Sequence, residues 1–367
     1  MPRNGKLVRI TLAFGAAALV GALVAGSATA AHKSHKARHG GTLNGAGSSL
    51  VAPAIQGVWM QMYQAAKGVT VNYSSVGSGT GIADISARSV DFGASDAPFT
   101  PSQAAACVHD GVKCLEIPWA LAATGPVVNI PNVSQGQLKL TGAVLAKIYL
   151  GQITNWNDPA IAALNSGLNL PDLKITVVHR SDGSGDTYAF TNYLSKISPT
   201  WKHQVGFATT VSWPGSTVGG KGNNGVAAVV RSTPGSIGYV STAYVIQNHL
   251  TMAKLKNASG NYVLPRIKSI EAAAQLVRTK AVKPNTGISI VDPPKTKNKK
   301  YAAAWPLSTF TYIMVPQTTP NAAALKAFIT WAIGPTAQKA IQKLVFAPMP
   351  AKVVASDKKA LQEIKSS

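Results

Sequence analysis

Residues 179–194 read HRSDGSGDTYAFTNYL, and the order of side-chain types there organises everything around it. Arg180 and Asp182 are followed by Gly183, Ser184 and Gly185, and then by a helix start near Thr187. Two other loops share this plan, Gly45-Ala46-Gly47-Ser48-Ser49 and Gly77-Ser78-Gly79-Thr80-Gly81. Glycine lets backbone N–H groups approach a ligand closely, Ser and Thr hydroxyls add donors, and a helix N-terminus contributes partial positive charge. Such loops suit a small tetrahedral anion, although any one of them alone is also what a plain turn with an N-cap looks like.

Around these loops, helix-like and strand-like segments alternate. Ile55, Val58, Trp59, Met62 and Tyr63 line one face of an amphipathic helix, and Val69, Val71 and Tyr73 then alternate as a half-buried strand. Asp158-Pro159 supplies an N-cap and a first-turn proline, and Thr319-Pro320 is expected to do the same for a helix that carries Leu325, Phe328, Ile329 and Ala332 and stops at Gly334-Pro335. No repeat of fixed period is present. Helices interleaved with short strands over this length argue for an α/β protein of two lobes, which need not be consecutive in sequence.

Composition narrows the function classes. The chain has 367 residues, 46% of them apolar and 13% charged, with two cysteines. A disordered acidic chain and a disulfide-stapled miniprotein are excluded, and the length allows about two domains. Basic side chains number 35 against 13 acidic. Alone, that balance suggests nucleic acid, an anionic surface or an acidic ligand as partner. The deficit of acids also suits an acidic exterior, where surface carboxylates would titrate.

Arg3, Lys6 and Arg9 precede an acid-free apolar run from Ile10 to Ala25 that ends in Ala28-Thr29-Ala30. This reads as a secretory signal peptide over residues 1–30, cleaved after Ala30. The mature chain then keeps 32 basic and 13 acidic side chains. Residues 31–40 form a basic, solvated tail without apolar periodicity. Export into an oxidising compartment would join Cys107 to Cys114 in a small loop. A metal site recruiting His109 and Asp110 is the alternative and needs further ligands nearby.

Competing enzyme motifs fail. The glycines of Gly219-Gly220-Lys221-Gly222 are not followed by Lys-Ser/Thr, Gly77-x-Gly79-x-Gly81 lacks dinucleotide spacing, and Ser184 does not sit in a nucleophile elbow. His179 is the one histidine beside a candidate loop. Acidic residues are scarce, yet Asp96, Asp182 and Asp186 fall in the candidate segments.

The stretches GTLNGAGSSLVAPA, VDFGASDAP, KIYLGQITNWNDPAIAALN, HRSDGSGDTYAFTNYL, GGKGNNGVAA and GSIGYV resemble, in order and spacing, the periplasmic phosphate-binding subunit of the high-affinity phosphate ABC importer, the PstS family. The resemblance runs from Gly41 to about Val354. It implies a class II periplasmic binding protein whose two lobes, discontinuous in sequence, close on one phosphate without cofactor, metal or catalysis. Carried over by position, the ligand set is Ser49, Leu50, Ser78, Asp96, Arg180, Ser184, Gly185 and Asp186. Leu50 and Asp186 stand where many relatives have Phe and Thr. Lobe I would hold 41–122 and 306–367 and lobe II 123–305, with crossing strands near 122–129 and 305–313.

The residue chemistry agrees with that role. Arg180 offers a planar fork of donors, which Asp182 could pin in place. Asp96 is a pure acceptor, tolerable beside an anion only if the ligand brings a proton, as hydrogen phosphates do and ionised sulfate does not. Asp186 has two uses open to it: pointing inward at a second ligand proton, or capping the helix at Thr187. The expected partners are inorganic phosphate and a membrane permease, not nucleic acid, with the protein acting as a monomer. A secreted phosphatase on the same scaffold, or a cationic polyphosphate- or wall-binding protein acting through the tail, are the competing classes.

Overall fold

The computed structural model describes residues 41–277, 285 and 287–367; the signal peptide and basic tail read from the sequence lie outside them. Twelve strands are present among these residues: β1 (Thr42–Gly47), β2 (Thr70–Ser75), β3 (Phe92–Ser95), β4 (Cys114–Val128), β5 (Lys139–Leu140), β6 (Thr176–Arg180), β7 (Val218–Gly220), β8 (Ser236–Ser241), β9 (Thr251–Met252), β10 (Lys254–Lys256), β11 (Tyr262–Val263) and β12 (Ser308–Pro316). Nine form one sheet in the order β2-β1-β3-β12-β4-β8-β6-β7, with β9 attached to β4, and β11-β10-β5 form a small second sheet. The large sheet is parallel towards its two ends (β2-β1-β3 and β8-β6-β7) and antiparallel through β12 and β4.

β4 organises the molecule. Its first part, Cys114 to Ala123, pairs with β12, and its second part, Thr124 to Val128, pairs with β8. It reads CLEIPWALAATGPVV, a nearly unbroken apolar run, because it is covered on both faces. Pro118, which has no N–H to give a ladder, sits where the β4–β12 register slips. Two hydrophobic clusters flank the strand. One gathers Trp59, Phe92, Trp119 and Phe328, with Trp59 and Trp119 edge to face at 5.3 Å. The other gathers Tyr149, Phe190, Trp201, Tyr239 and Trp305, with Phe190 stacked on Tyr239 at 4.5 Å.

The amphipathic helix expected around Ile55 runs over 52–67 and buries Ile55, Val58, Trp59 and Tyr63, with a π-helical turn over Ile55–Trp59. The helix expected to start at Thr319-Pro320 starts later, as Ala322–Ala332 with Asn321 at its N-cap. Thr319 is tied by its backbone N–H to the Lys365 carbonyl at 3.0 Å, which commits Thr319-Pro320 to a turn before the helix. Gly334 then caps a separate helix, Pro335–Ala340. Cys107 and Cys114 are joined as a disulfide. The Arg88 guanidinium closes this loop by donating to the carbonyls of Ile85, Cys107 and Val112. Among the described residues there is no group of three or more His, Cys, Asp or Glu able to hold a metal, and no helix long and apolar enough to cross a membrane.

Two carboxyls are buried away from the loops. Glu116 on β4 accepts the Phe99 N–H at 2.6 Å through Oε2, while its Oε1 has no partner. Burial pushes it up to about 7, the Phe99 hydrogen bond offsetting only part. Burial likewise pushes Asp357 up to about 8. A carboxyl whose folded-state pKa is raised keeps its proton in the native chain after the unfolded chain has lost it, so stability falls as pH climbs from the ordinary carboxyl range to the raised value. Scanning calorimetry is therefore expected to give a Tm several degrees higher at pH 5 than at pH 8, with Glu116→Gln and Asp357→Asn flattening the slope. A Tm that rises steadily over the same interval contradicts this.

Candidate functional site

The three hydroxyl-rich loops follow strand ends and meet. β1 delivers Ser48 and Ser49, β3 delivers Asp96, β6 ends on Arg180, and β7 leads into Asn223. All lie beyond the carboxyl ends of parallel strands, where open α/β sheets place their ligands. Three helices, Ser78–Ser86, Gly185–Ile197 and Gly222–Ser232, point their N-termini at the same place: the Gly185 N–H donates to Ser78 Oγ at 3.0 Å and the Asn223 N–H to Ser49 Oγ at 3.1 Å. The Gly79 N–H also donates to the Gly183 carbonyl at 2.9 Å, so the loop after β2 and the loop after β6 are bonded through their backbones.

Arg180 is almost fully buried, and its fork is spoken for on one edge: Nε and Nη2 donate to the two Asp182 oxygens at 2.8 and 2.5 Å. Nη1 reaches Asp186 Oδ2 at 3.0 Å. Burial works against the guanidinium charge, but the hydrogen bonds and charges of Asp182 and Asp186 outweigh it and hold the group above its ordinary range. Burial also opposes the Asp182 charge; Arg180 and the Gly222 N–H at 2.9 Å overcome this and keep its pKa low. Asp182 therefore orients the arginine and, through Gly222, the helix that carries Asn223.

Asp96 has 1% exposure, with both carboxyl oxygens against Ser48 Oγ and Oδ2 at 3.3 Å from Ser78 Oγ. Burial pushes its pKa up and the Asp186 charge adds to this; Ser48, Arg180 and Ser78 pull the other way without offsetting it. Asp186 is fully buried, and burial pushes it up too, against Arg180 and Asn223. Of the two uses open to Asp186, the cap is taken by another residue: Ser184 Oγ accepts from the Thr187 N–H at 3.3 Å, and the helix starts at Gly185. Asp186 instead faces Arg180 and the Asn223 amide, the latter at 2.7 Å, and its Oδ1 is buried without a hydrogen-bond partner.

Ser49, Ser78, Asp96, Arg180, Asp182, Gly185 and Asp186 thus lie in one bonded cluster. The Leu50 N–H is in the same loop and donates to Ser48 Oγ at 3.0 Å. His179 turns away: its ring stacks on Trp213 at 4.9 Å and its Nδ1 lies 2.8 Å from the Arg180 carbonyl. Sequence reasoning missed Ser48 and Asn223. The Asn223 amide bridges Ser49 Oγ at 2.9 Å and Asp186, and its carbonyl accepts from the Ser241 N–H. Its signal was an amide side chain one residue after Gly222 at a helix start, in a stretch that carried the family resemblance but was weighed for ligand chemistry only as a P-loop.

Comparison with known proteins agrees with this architecture. A family model described as a PBP superfamily domain matches residues 31–336. The phosphate-binding protein PstS of Xylella fastidiosa is 44% identical over 315 residues, covering 85% of this chain and 82% of that one. PstS of Pasteurella multocida is 43% identical, over 85% and 88% of the two chains. PstS of the archaeon Methanocaldococcus jannaschii is 35% identical, over 75% and 74%. Among solved structures, a high-affinity periplasmic phosphate-binding protein determined with phosphate bound superposes with TM-score 0.65 at 19% identity, over 87% and 92% of the chains. A phosphate ABC transporter substrate-binding protein from Clostridium perfringens, also with phosphate, gives 0.59 at 18%, over 84% and 100%. With identities above 40% across most of the chain and the two-lobed periplasmic-binding-protein fold in place, the chain belongs to the PstS family of phosphate-binding proteins within the PBP superfamily.

Proposed function

We propose that this protein is an exported receptor that captures inorganic phosphate between two lobes and hands it to an ABC permease. The observation that carries the reading is that Asp96, a buried carboxyl bonded to Ser48 and Ser78, and Arg180, a buried donor fork bonded to Asp182 and Asp186, lie in one cluster. An anion held there would exchange the site's internal contacts for its own. Arg180 and the donors at Ser49, Leu50, Ser78, Ser184 and Gly185 would take its oxygens, and Asp96 and Asp186 would accept its protons. Residues 41–122 with 306–367, and 123–305, serve as the lobes, with β4 and β12 as the crossings and the protein working as a monomer. The names of its relatives support phosphate as cargo and an exterior location.

Binding rather than turnover fits the surroundings of the nucleophile candidates. Ser184 Oγ is committed to a helix cap, and His179, the nearest imidazole in sequence, is stacked on Trp213. A hydrolytic serine needs a base within hydrogen-bond reach. The test is calorimetric titration of refolded, ligand-stripped protein with phosphate and sulfate. Phosphate is expected to bind and sulfate not, and Asp96→Asn, which can donate as well as accept, is expected to narrow that preference at least tenfold. Equal affinity for both anions in the unaltered protein contradicts the assignment.

A further inference from the structure

A patch of positive charge that shares no residue with the bonded cluster of Asp96 and Arg180 lies on the small sheet β11-β10-β5 and the segments beside it. In that sheet Lys139 is the register partner of Lys254, and Lys256 that of Tyr262. Side chains alternate between faces, and Leu140, Leu255 and Val263 take the buried one, so Lys139, Lys254, Lys256 and Tyr262 share the outer face. Lys139 and Lys256 both place Nζ over the Tyr262 ring, at 5.7 and 5.8 Å. The segment 295–300, KTKNKK, is held alongside: the Thr296 N–H donates to Ser259 Oγ at 3.1 Å, and the Asn257 amide donates to the carbonyls of Ala302 and Ala304. Two hollows connect these parts. One of about 270 Å³ is lined by Lys254, Tyr262, Arg266 and Lys268, the other of about 630 Å³ by Lys268, Gln275, Lys300 and Tyr301, so Lys268 is common to both. Together they follow the helix Ile267–Leu276 from just before its first residue to Gln275 in its last turn. That is a furrow of roughly 14 Å along the helix axis.

Folding does not explain the gathering. Like charges directly opposite one another in a sheet destabilise it. Among the described residues only Arg180 forms ion pairs, so none of Lys139, Lys254, Lys256, Arg266, Lys268 and Lys300 is neutralised by a carboxylate. Glu271 is the one acidic side chain lining either hollow. Concentrated, unpaired positive charge selects a polyanion, and two features choose among polyanions. A furrow with charged walls admits a thin chain and not a flat bilayer; the exposed large apolar side chains among the described residues, Val108, Phe207, Val218 and Ile246, all lie elsewhere, leaving nothing there to insert into lipid. Bases of a single-stranded nucleic acid stack on free aromatic faces, yet Tyr262 already carries two ammonium groups over its ring and Tyr301 carries the Lys300 Nζ at 5.5 Å. What fits is a chain with charge on every unit and no bases. We propose that this furrow is a docking site for linear inorganic polyphosphate, its lysines neutralising successive phosphates with no bond in the chain made or broken. The site is separate from the cluster of Asp96 and Arg180 and does not depend on what that cluster binds.

The experiment measures binding of long-chain polyphosphate by calorimetry at several salt concentrations, with excess orthophosphate present throughout. The patch variant carries Lys254→Gln, Lys256→Gln, Lys268→Gln and Lys300→Gln. A control of equal net charge carries Lys147→Gln, Lys202→Gln, Lys339→Gln and Lys358→Gln, exposed lysines that line neither hollow. The patch variant is expected to lose at least tenfold in affinity and to show a shallower dependence on salt, since fewer counterions are displaced. The control, and a chain lacking residues 31–40, are expected to bind as the unaltered protein does. Should the fourfold patch variant melt early, Lys268→Gln with Lys300→Gln, both exposed, carries the test. Phosphatidylglycerol vesicles and a single-stranded DNA of mixed sequence, titrated alongside, are expected to bind more weakly than polyphosphate. Equal loss in the patch and control variants would mean a response to net charge alone, and loss on deleting residues 31–40 would move the site to the tail; either overturns the proposal. Tighter binding of vesicles or DNA, or no binding of polyphosphate by the unaltered protein, overturns it as well.

Discussion

Arg180→Ala is expected to lower phosphate affinity at least a hundredfold. Among the described residues the guanidinium is the one cation within the bonded cluster, and its Nη1 is the fork atom not engaged by Asp182. Losing one charge-assisted hydrogen bond costs roughly 1.5–3 kcal/mol, and about 1.4 kcal/mol is tenfold in affinity. The loss is compounded because removing one partner of a buried ionic network leaves the rest uncompensated, at about 3–5 kcal/mol. Asp182 and Asp186 would both lose their counter-ion, and Asp186, already pushed up by burial, would bind a proton instead. Calorimetry gives the affinity, and circular dichroism melting separates loss of binding from loss of fold. A folded Arg180→Ala variant that binds phosphate as before removes the site assignment.

Gly185→Ala is expected to weaken phosphate binding ten- to a hundredfold. A Cβ on Gly185 would stand 2.5 Å from Asp96 Cβ and 2.7 Å from Asp96 Cα, too close for real atoms, and the Asp96 backbone cannot retreat as a flexible side chain would. Overpacking of this kind costs roughly 1–3 kcal/mol. The loops after β3 and β6 are pressed together in this structure, so the added methyl would push apart the segments that carry Asp96 and Arg180. Small-angle scattering should then show the variant failing to compact when phosphate is added. A variant that closes and binds normally would show that these loops need not approach so closely.

Much of the site was legible because its signals are local. Arg180 and Asp182 are two residues apart and form their ion pair within one loop, and the glycine and hydroxyl runs at 45–49, 77–81 and 181–185 carry their own reason to meet an anion. The Cys107–Cys114 loop was equally local. What escaped was set by distant chain. Asn223 touches Ser49 from 174 residues away, so nothing near it in sequence announced the contact. Ser48 gains its meaning only once β3 brings Asp96 beside it. The late start of Ala322–Ala332 has the same origin: Thr319 and Pro320 have ordinary N-terminal chemistry, overridden by the backbone bond to Lys365. Asp186 had two plausible uses by itself, and its neighbour Ser184 settled which one was free.

The divided pairing of β4 bears on how the molecule can be taken apart. One strand completes the hydrogen-bond ladders of two neighbours, β12 along its first part and β8 along its second. Neither half can be produced as a separate polypeptide without exposing a raw sheet edge, a template for aggregation. Truncation libraries and split-reporter fusions cut inside Cys114–Val128 should yield insoluble fragments, and viable insertion points should cluster in the surface loops instead.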